Sequence, residues 1–446
     1  MRHAPAAGLR LLLVSGLLVN CSADRREDAS GHIFRTSVED GLEIAYSSGT
    51  PKYDGEIFAY ERTIALKEDE RETSLIVRGD PPVMDEQGYL YMPDNSPSDY
   101  PSTSRIMVYD AEGSFLFAFG QPGQGPGDMI HPQILHVAGR EIATYDPHQR
   151  RFSFYDTRGN LRRIESLPSW KGVGWVRTCY LADEGRFVVP ARRATASMME
   201  QFTEGSLERS ESQLALTVFS ADWDTLCTIL GEPVPGPKVT RYEGSDGMSY
   251  GIGASPQFTP GPMATYSSRH GIIATTGQEP TLDVYDLQGV PRLRIRIDLP
   301  RRAVTEEDRR RVSDPLTTSM LEARDAREKD YYKARLESLE FPDYMGYWTD
   351  LEVDDFGFIW IEIPGYASAP EYDEDAVRYR VLSPEFEYLG ITQLPTYRRG
   401  RTRLTRSYLT VVEMDRETGE KEVVAYRIVS AHAGLVYPGE QTPPPH

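Results

Sequence analysis

The sequence predicts an all-β protein, a six-bladed β-propeller of four-stranded antiparallel blades with a helical insertion between blades four and five. Three observations in the 446 residues support this fold class. A hairpin pattern recurs along the chain, a second turn pattern precedes the hairpins, and the copies are spaced at about 57 residues once one insertion is set aside. Repeats of this length that each form two linked hairpins are typical of propeller blades.

The first pattern is an apolar run, then Asp or Ser, a short turn, and a second apolar run. Asp and Ser favour turns because their side chains accept hydrogen bonds from nearby backbone amides, and Gly near the end of the turn supplies a positive φ. Each copy therefore predicts an antiparallel hairpin. The five hairpin turns begin at Asp110, Asp156, Ser220, Asp286 and Ser383.

The second pattern is an acidic turn with Gly that leads into a strand of alternating apolar residues. Its clearest copies lie at residues 85–92, 183–189 and 354–361. Each copy precedes a hairpin of the first kind. The two hairpins together predict one four-stranded blade.

The spacing of the hairpins predicts the number of blades. Successive turns are 46, 64, 66 and 97 residues apart, and the last interval contains a helical segment at residues 304–345. In that segment Thr305 and Asp308 resemble a capping box. A sixth blade fits after residue 400 but lacks an outer strand, whereas strands near residues 56–66 have no partner. We expect one N-terminal strand to complete blade six and remove a sheet edge.

The N-terminus has the pattern of an export signal. Arg2 and Arg10 flank the start of an apolar run at residues 9–19, which is shorter than the roughly 20 residues of a membrane span. The motif Leu18-Val19-Asn20-Cys21 resembles a bacterial lipobox, which implies a signal peptide over residues 1–21 and a lipid on Cys21.

The lipobox resemblance also implies a location. It indicates a cell-envelope protein anchored in a membrane, the outer membrane rather than the inner, since Ser22 and not an acid follows Cys21. The alternative is an ordinary signal peptide of a periplasmic or secreted protein, because lipoboxes usually have a small residue where Asn20 stands.

The rest of the chain divides into three parts. We expect a linker at residues 22–49, the propeller at residues 50–430 and a disordered tail at residues 431–446. Within the propeller, residues 231–262 contain 7 Gly and 6 Pro, and we expect them to form a long surface loop.

A family resemblance rests on two segments, a Gly-rich run and a stretch from the end of the helical segment onward that contains Phe341-Pro342, Asp343, Asp354-Asp355, Gly357 and Trp360. The run from Phe119 to Asp128, followed by His131-Pro132, resembles the junction between blades in bacterial six-bladed β-propeller lipoproteins related to NHL-repeat proteins. The resemblance covers residues 50–430. It implies the propeller fold and an envelope location, but it implies no ligand, because the ligands of that family are mostly unassigned.

Charge and motifs exclude some functions. Lys and Arg total 49 and Asp and Glu total 68, a net charge of −19, which argues against nucleic acid as a partner. The Gly-rich run is not a phosphate loop, because its spacing is wrong and Pro126 lacks an amide hydrogen. No nucleophile motif is present in the sequence. We expect no cofactor, no metal site and no identifiable catalytic residue.

Histidine and cysteine supply the remaining site candidates. His131 leads into an inner strand and is expected to face the central channel, whereas the odd spacing to His136 predicts the opposite face for that residue. Cys179 and Cys227 are expected in the innermost and outermost strands of blade three. That order separates them by roughly 14 Å, too far for a disulfide.

Two functions remain open at this stage. The first is a non-catalytic binding or scaffolding propeller that takes an unidentified protein, peptide or small molecule. The alternative is a metal-dependent hydrolase or lyase with its site in the central channel. The fold does not decide between them, because propellers host unrelated functions.

Overall fold

The computed structural model describes residues 25–27, 31–67, 82–85, 87–94, 104–138, 141–166, 179–194, 211–235, 238–364, 376–397, 402–405, 408–414 and 421–438. Within these residues the chain forms a six-bladed β-propeller of antiparallel blades. Each blade has four core strands, and two blades carry additional strands at their edges.

The blades follow the chain order, and each begins with its innermost strand. Blade 1 contains Val83–Met84, Leu90–Asp94, Arg105–Tyr109 and Phe115–Phe119. Blade 2 contains Gln133–Ala138, Glu141–Asp146, Arg151–Asp156 and Leu161–Ser166. Blade 3 contains Tyr180–Leu181, Phe187–Ala194, Glu211–Phe219 and Thr225–Leu230, with Val234–Pro235 beside its third strand. Blade 4 contains Met263–Ser267, Gly271–Thr275, Thr281–Tyr285 and Pro291–Asp298. Blade 5 contains Leu351–Val353, Ile359–Glu362, Ala376–Leu382 and Tyr388–Tyr397. Blade 6 contains Thr402–Thr405, Tyr408–Met414, Lys421–Ser430 and Phe58–Lys67.

The outermost strand of blade 6 comes from the N-terminal part of the chain. Phe58–Lys67 pairs antiparallel with Lys421–Ser430 over the length of both strands. Ile64 and Leu66 of this strand are buried in the core between blades 6 and 1. The expectation that an N-terminal strand completes blade six is therefore confirmed.

The expected linker at residues 22–49 is instead part of the sheet structure. Ile33–Glu39 and Leu42–Ser48 form a hairpin, and Arg25–Glu27 pairs with its first strand. Leu42–Ser48 pairs in parallel with the outermost strand of blade 4. Phe34 and Ala45 account for the correction, because both are buried in the apolar cluster between blades 4 and 5.

The five hairpin turns share one hydrogen-bond pattern. In each, the Asp or Ser side chain accepts from the amides two and four residues later, at distances of 2.7–3.2 Å. The third residue after the Asp or Ser has a positive φ in every copy. The residues at this position are Gly113, Gly159, Trp223, Gly289 and Phe386.

Two of these positions depart from the sequence pattern, because an aromatic residue replaces Gly. Trp223 has a φ of 66° and Phe386 a φ of 72°. A bulky residue is strained there. The Trp223 ring stacks on Phe187 with centroids 4.3 Å apart, and packing of this kind offsets the strain.

The acidic turns of blades 1 and 5 are also built alike. Asp85 and Asp354 each accept from the backbone amides two and four residues later. The second carboxylate oxygen accepts from the aromatic side chain six residues later, Tyr91 in one blade and Trp360 in the other, both at 3.1 Å. The turn therefore fixes the first aromatic residues of the next strand.

Apolar clusters join neighbouring blades around the ring. In the described part of the chain six such clusters are present, and each contains residues of two adjacent blades. Trp348 and Trp360 are fully buried in the clusters on either side of blade 5. The core of this protein is thus divided among the interfaces between blades.

Helices follow blade 4 in the chain. The first, Glu306–Leu321, has a capping box formed by Thr305 and Asp308, and the second, Ala326–Glu337, is capped by Asp325. Apart from these, the described chain has one short 3₁₀ turn, Asp183–Gly185. Among the described residues, neither helix is long and apolar enough to cross a bilayer.

The Gly- and Pro-rich segment 231–262 contains regular structure, contrary to expectation. Lys238–Glu243 and Ser249–Ala254 form an antiparallel hairpin that contacts the second helix. Its turn at residues 244–248 contains Gly247, with a φ of 73°. Gly in this segment permits the turn, and the strands form on either side of it.

The expected disordered tail at residues 431–446 is ordered over the part that the structure describes. Leu435 and Tyr437 are buried beside blades 5 and 6, and the Tyr437 hydroxyl donates to Asp354 at 2.7 Å. The correction follows from these two side chains, which bury apolar surface that a disordered tail would expose.

The two cysteines of the described chain are free thiols, as predicted. Cys179 is buried immediately before the innermost strand of blade 3, and Cys227 is half-buried in the outermost strand. The predicted strand order of blade 3, on which the absence of a disulfide depended, is confirmed.

Candidate functional site in the central channel

A cavity of about 600 Å³ occupies the centre of the ring. Residues at the innermost strands of all six blades line it. One representative from each blade, in chain order, gives Val83, His136, Tyr180, Thr265, Glu352 and Arg403. The volume lies within the range of small-molecule sites in proteins.

Five acidic residues of the described chain line this cavity, and two of them, Asp350 and Glu352, lie at the innermost strand of blade 5. Asp350 precedes the innermost strand Leu351–Val353 and Glu352 lies within it. Side chains two residues apart on a strand share a face, and the intervening Leu351 is buried in the opposite direction, in the core between blades 4 and 5. The local alternation therefore places both acids in the channel.

The channel disfavours the charged forms of both acids. Desolvation inside the channel raises the pKa of Asp350 above its usual range, although more than a third of the residue's surface is accessible. Burial and then the neighbouring Asp350 carboxylate raise the pKa of Glu352 to about 8. The compensating hydrogen bonds are few, with Leu351 N donating to Asp350 at 2.8 Å and Leu404 N donating to Glu352 at 3.3 Å. The pair therefore retains a proton at neutral pH.

Arg403 of blade 6 contributes a guanidinium group to the lining of the channel. Its terminal nitrogens donate to the carbonyl oxygens of Ile134 and Leu135 in blade 2, at 2.5 and 2.8 Å. A β-bulge between Ile134 and His136 interrupts the ladder at this point. Arg403 partly opposes the rise in the pKa of Glu352, but it is held by carbonyls and forms no ion pair with that side chain.

The histidine that lines the cavity is His136. The prediction that it faces away from the channel is wrong, because it assumed regular alternation and the bulge at Leu135 shifts the register. Desolvation in the channel lowers the pKa of His136, and the charge of Asp355 opposes this shift. His131 lies in the loop before the strand, where its amide donates to Asp146 at 3.0 Å and its ring is 5.6 Å from that of His148. The cavity lining on this strand begins two residues later, at Gln133.

Tyrosine hydroxyls complete the polar lining. The Tyr180 hydroxyl donates to the carbonyl of Ala264 at 2.9 Å, and the Tyr266 hydroxyl accepts from the amide of Asp183 at 3.2 Å. These bonds join blades 3 and 4 beside the cavity. Among the described residues, no three His, Cys, Asp or Glu side chains are grouped to hold a metal ion.

The sequence analysis missed Asp350, Glu352 and Arg403. A signal for the acids was present, because Asp350-Leu351-Glu352-Val353 alternates charged and apolar residues on a strand that precedes an acidic turn. Arg403 carried no comparable signal, since its strand is only four residues long. Cys21, the predicted lipidation site, lies outside the described residues.

No protein-family model matches the chain, and no curated protein matches it. Among solved structures, a Bacteroides fragilis protein whose name describes it as exported has 13% identity and a TM-score of 0.46 over 86% of this chain and 99% of that one. A member of the duf4221 family from Bacteroides vulgatus also has 13% identity and a TM-score of 0.46, over 85% and 100%. Virginiamycin B lyase from Staphylococcus aureus has 10% identity and a TM-score of 0.35 over 82% and 99%. Likenesses this low leave the function of the chain open.

Proposed function

We propose that this protein is an exported, non-catalytic propeller that binds a small cationic ligand, an amine or a guanidinium compound, in its central channel. One observation carries the proposal, namely the Asp350–Glu352 pair inside a 600 Å³ cavity. Neither carboxyl group forms an ion pair with any described residue. A cation would supply a charge partner for both carboxyl groups.

Proton release is the expected signature of such binding. The free pair holds a proton because desolvation raises the pKa of both acids and the Asp350 carboxylate raises that of Glu352 further. A bound cation favours the ionised forms, so the pKa values fall on binding and the proton leaves. Affinity should therefore decrease as the pH falls below the pKa of the free pair, by up to tenfold per pH unit for each proton released.

Calorimetric titration with simple amines tests the proposal. We expect spermidine or agmatine to bind at pH 8, to bind at least tenfold more weakly at pH 6, and to release protons into the buffer. The uncharged analogue 1,5-pentanediol should not bind. Glu352→Gln and Asp350→Asn should each weaken amine binding, whereas the control Glu112→Gln, an exposed acid in a hairpin turn of blade 1, should not.

Several results would contradict a cation site. They are equal affinity for the diol and the amines, no binding of either amine at millimolar concentration, or unchanged binding by the Glu352→Gln variant. Each variant should first be shown to retain the wild-type melting temperature within a few degrees, which separates loss of the site from loss of the fold.

We propose also that Cys21 is lipidated and anchors the protein in the cell envelope, at the outer membrane. The support is the lipobox-like motif at residues 18–21 and the apolar run before it. In this proposal residues 304–345 are a helical insertion between blades four and five, and the membrane is one partner while the channel ligand is the other.

A hydrolase or lyase with its site in the channel is the second candidate. The observation that favours it is the pKa of Glu352, about 8, because a carboxyl group that titrates near neutrality suits a general acid. The metal-dependent form of this candidate predicts one stoichiometric divalent metal in the purified protein after dialysis. Elemental analysis measures that directly.

A further inference from the structure

A second cleft of about 600 Å³ lies between the hairpin of residues 238–254 and the second helix, away from the channel. Four tyrosines and two arginines dominate its lining, namely Tyr242, Tyr250, Tyr331, Tyr332, Arg324 and Arg327. None of these residues lines the channel cavity, so the cleft is a separate feature of the molecule.

The tyrosine rings form the walls of this cleft. Tyr242 and Tyr250 stack with centroids 5.4 Å apart and planes 24° apart, and Tyr331 meets Tyr332 edge-on at 5.3 Å. Three of the rings are half-buried, and Tyr331 is 38% exposed. Such rings present flat faces to a ligand at low entropic cost, because a tyrosine side chain has few rotatable bonds.

The acids near the cleft already have hydrogen-bond donors. Asp325 accepts from the amide of Glu328, and Glu328 accepts from the amide of Arg324, both at 2.8 Å. On the hairpin side, Asp246 accepts from the Tyr250 hydroxyl. Asp330 accepts from the amide of Ser245 at 2.8 Å, which ties the helix to the hairpin turn.

The two arginines have guanidinium N–H groups that can donate hydrogen bonds to a ligand. The Arg327 guanidinium lies 5.2 Å from the centre of the Tyr250 ring, and Arg324 is exposed at the helix start. Among the described residues, neither guanidinium has a carboxylate oxygen within 4.0 Å. The Tyr250 hydroxyl and, to a lesser extent, the Arg327 charge lower the pKa of Asp246, so Arg327 lies near an acid without a direct ion pair. Each guanidinium group presents a planar fork suited to a carboxylate or phosphate.

We propose that this cleft binds an anionic ring compound, a sugar or aromatic ring that carries a carboxylate or phosphate group. The ring packs against the tyrosine faces, and Arg324 and Arg327 donate to the anionic group. Ring stacking and charge pairing together are the chemistry that this lining offers. The proposal does not depend on the function of the channel.

Titration of the full chain with paired probes tests the inference. The anionic probes are D-glucuronate, glucose 6-phosphate and 4-hydroxybenzoate, and the neutral partners are glucose and methyl 4-hydroxybenzoate. We expect at least one anionic ring to bind at least tenfold more tightly than its neutral partner. The sugar and aromatic probes identify which kind of ring the cleft takes.

Variants assign the binding to the cleft. The double variant Arg324→Gln with Arg327→Gln should lose at least tenfold in affinity, and Tyr331→Ala should also weaken binding. Arg310→Gln is the matched control, because Arg310 is an exposed arginine of the first helix outside the cleft, and it should bind as the wild type does. Glu352→Gln in the channel should have no effect.

Three outcomes would overturn the inference. They are that no anionic ring binds at 10 mM, that acetate or inorganic phosphate binds as tightly as the ring compounds, or that the double arginine variant binds unchanged. Melting temperatures of all variants, measured first, ensure that a lost signal reports the cleft and not an unfolded chain.

Discussion

Asp354 shows how one side chain can join two distant parts of the propeller. Its carboxylate accepts from the amides of Phe356 and Phe358 at 3.0 and 2.9 Å, from Trp360 Nε1 at 3.1 Å and from the Tyr437 hydroxyl at 2.7 Å. The first three contacts form the acidic turn of blade 5. The fourth attaches the C-terminal segment to it, so the turn is also a point of attachment for the chain end.

The burial of Asp354 predicts a pH dependence of stability. Burial raises its pKa from 3.8 to about 7 in the folded protein, although the four hydrogen bonds oppose the rise. The folded state then binds more protons than the unfolded state, so this contribution to stability is fully present below pH 4 and is lost as the pH rises through 7. Between pH 5 and pH 8 the loss should be roughly 2–3 kcal/mol.

Urea unfolding of the wild type and of Asp354→Asn at both pH values measures this effect. The variant lacks the titration, so its free energy of unfolding should fall less between pH 5 and pH 8 than that of the wild type. The acids of the channel titrate in both proteins and cancel in the comparison. Equal losses in the two proteins would show that Asp354 keeps an ordinary pKa.

At the residue scale, the sequence predicted turns well and the site poorly. Asp110 and its counterparts were predictable because an Asx turn depends only on residues within four positions of one another. Glu352 and Arg403 come from blades 5 and 6 and become neighbours only when these two blades pack together. Their positions depend on the register of short strands and, for His136, on a β-bulge, neither of which has a local signal.

At the scale of elements, the strand Phe58–Lys67 closes the ring of blades. It supplies the outer edge of blade 6 and buries Ile64 and Leu66 against blade 1. The strand was predictable from the number of strands in each predicted blade, because blade 6 lacked one. The hairpin at residues 33–48 was not predictable in the same way, since blade 4 already had four strands and lacked nothing.

Two truncated chains separate the roles of these N-terminal elements. A chain that begins at residue 50 loses Arg25–Glu27 and the added hairpin of blade 4, and we expect it to remain monomeric because blade 4 keeps its own four strands. A chain that begins at residue 68 also loses Phe58–Lys67 and exposes the edge of Lys421–Ser430. We expect this second chain to aggregate, because an unpaired edge strand is a template for further pairing.

Size-exclusion chromatography and thermal melting distinguish the two chains. The N-terminal strand contributes nothing to closure if the chain that begins at residue 68 stays monomeric and has the same melting temperature as the chain that begins at residue 50. The chain that begins at residue 50 is the control for loss of the N-terminal residues as such.

At the scale of the whole molecule, only a short segment separates the predicted lipidation site from the first described strand. Cys21 precedes the first strand, Arg25–Glu27, by four residues. Four residues span at most about 14 Å. A lipid on Cys21 would therefore hold the rim of blade 4 close to the membrane surface.

Membrane fractionation of cells that express the full chain tests the anchor. We expect the wild type to sediment with membranes and Cys21→Ala to be released into the soluble fraction, because a single residue carries the lipid. Cys227→Ala is the matched control, since it removes a half-buried thiol without touching the lipobox-like motif. Wild-type protein in the soluble fraction with an unmodified Cys21 would end this proposal.

Ring closure by Phe58–Lys67 has a consequence for the order of folding. The ribosome makes this strand near the start of synthesis, but its partner, Lys421–Ser430, is made more than 350 residues later. These two strands are thus among the most distant paired segments in the chain. The entropic cost of closing the loop between them must be overcome before they make any contact. Blades 1 to 5 can assemble from neighbouring segments before Phe58–Lys67 pairs with Lys421–Ser430. Refolding should therefore end with a slow, cooperative closure, and before that step the edge of Lys421–Ser430 and the strand Phe58–Lys67 are both unpaired.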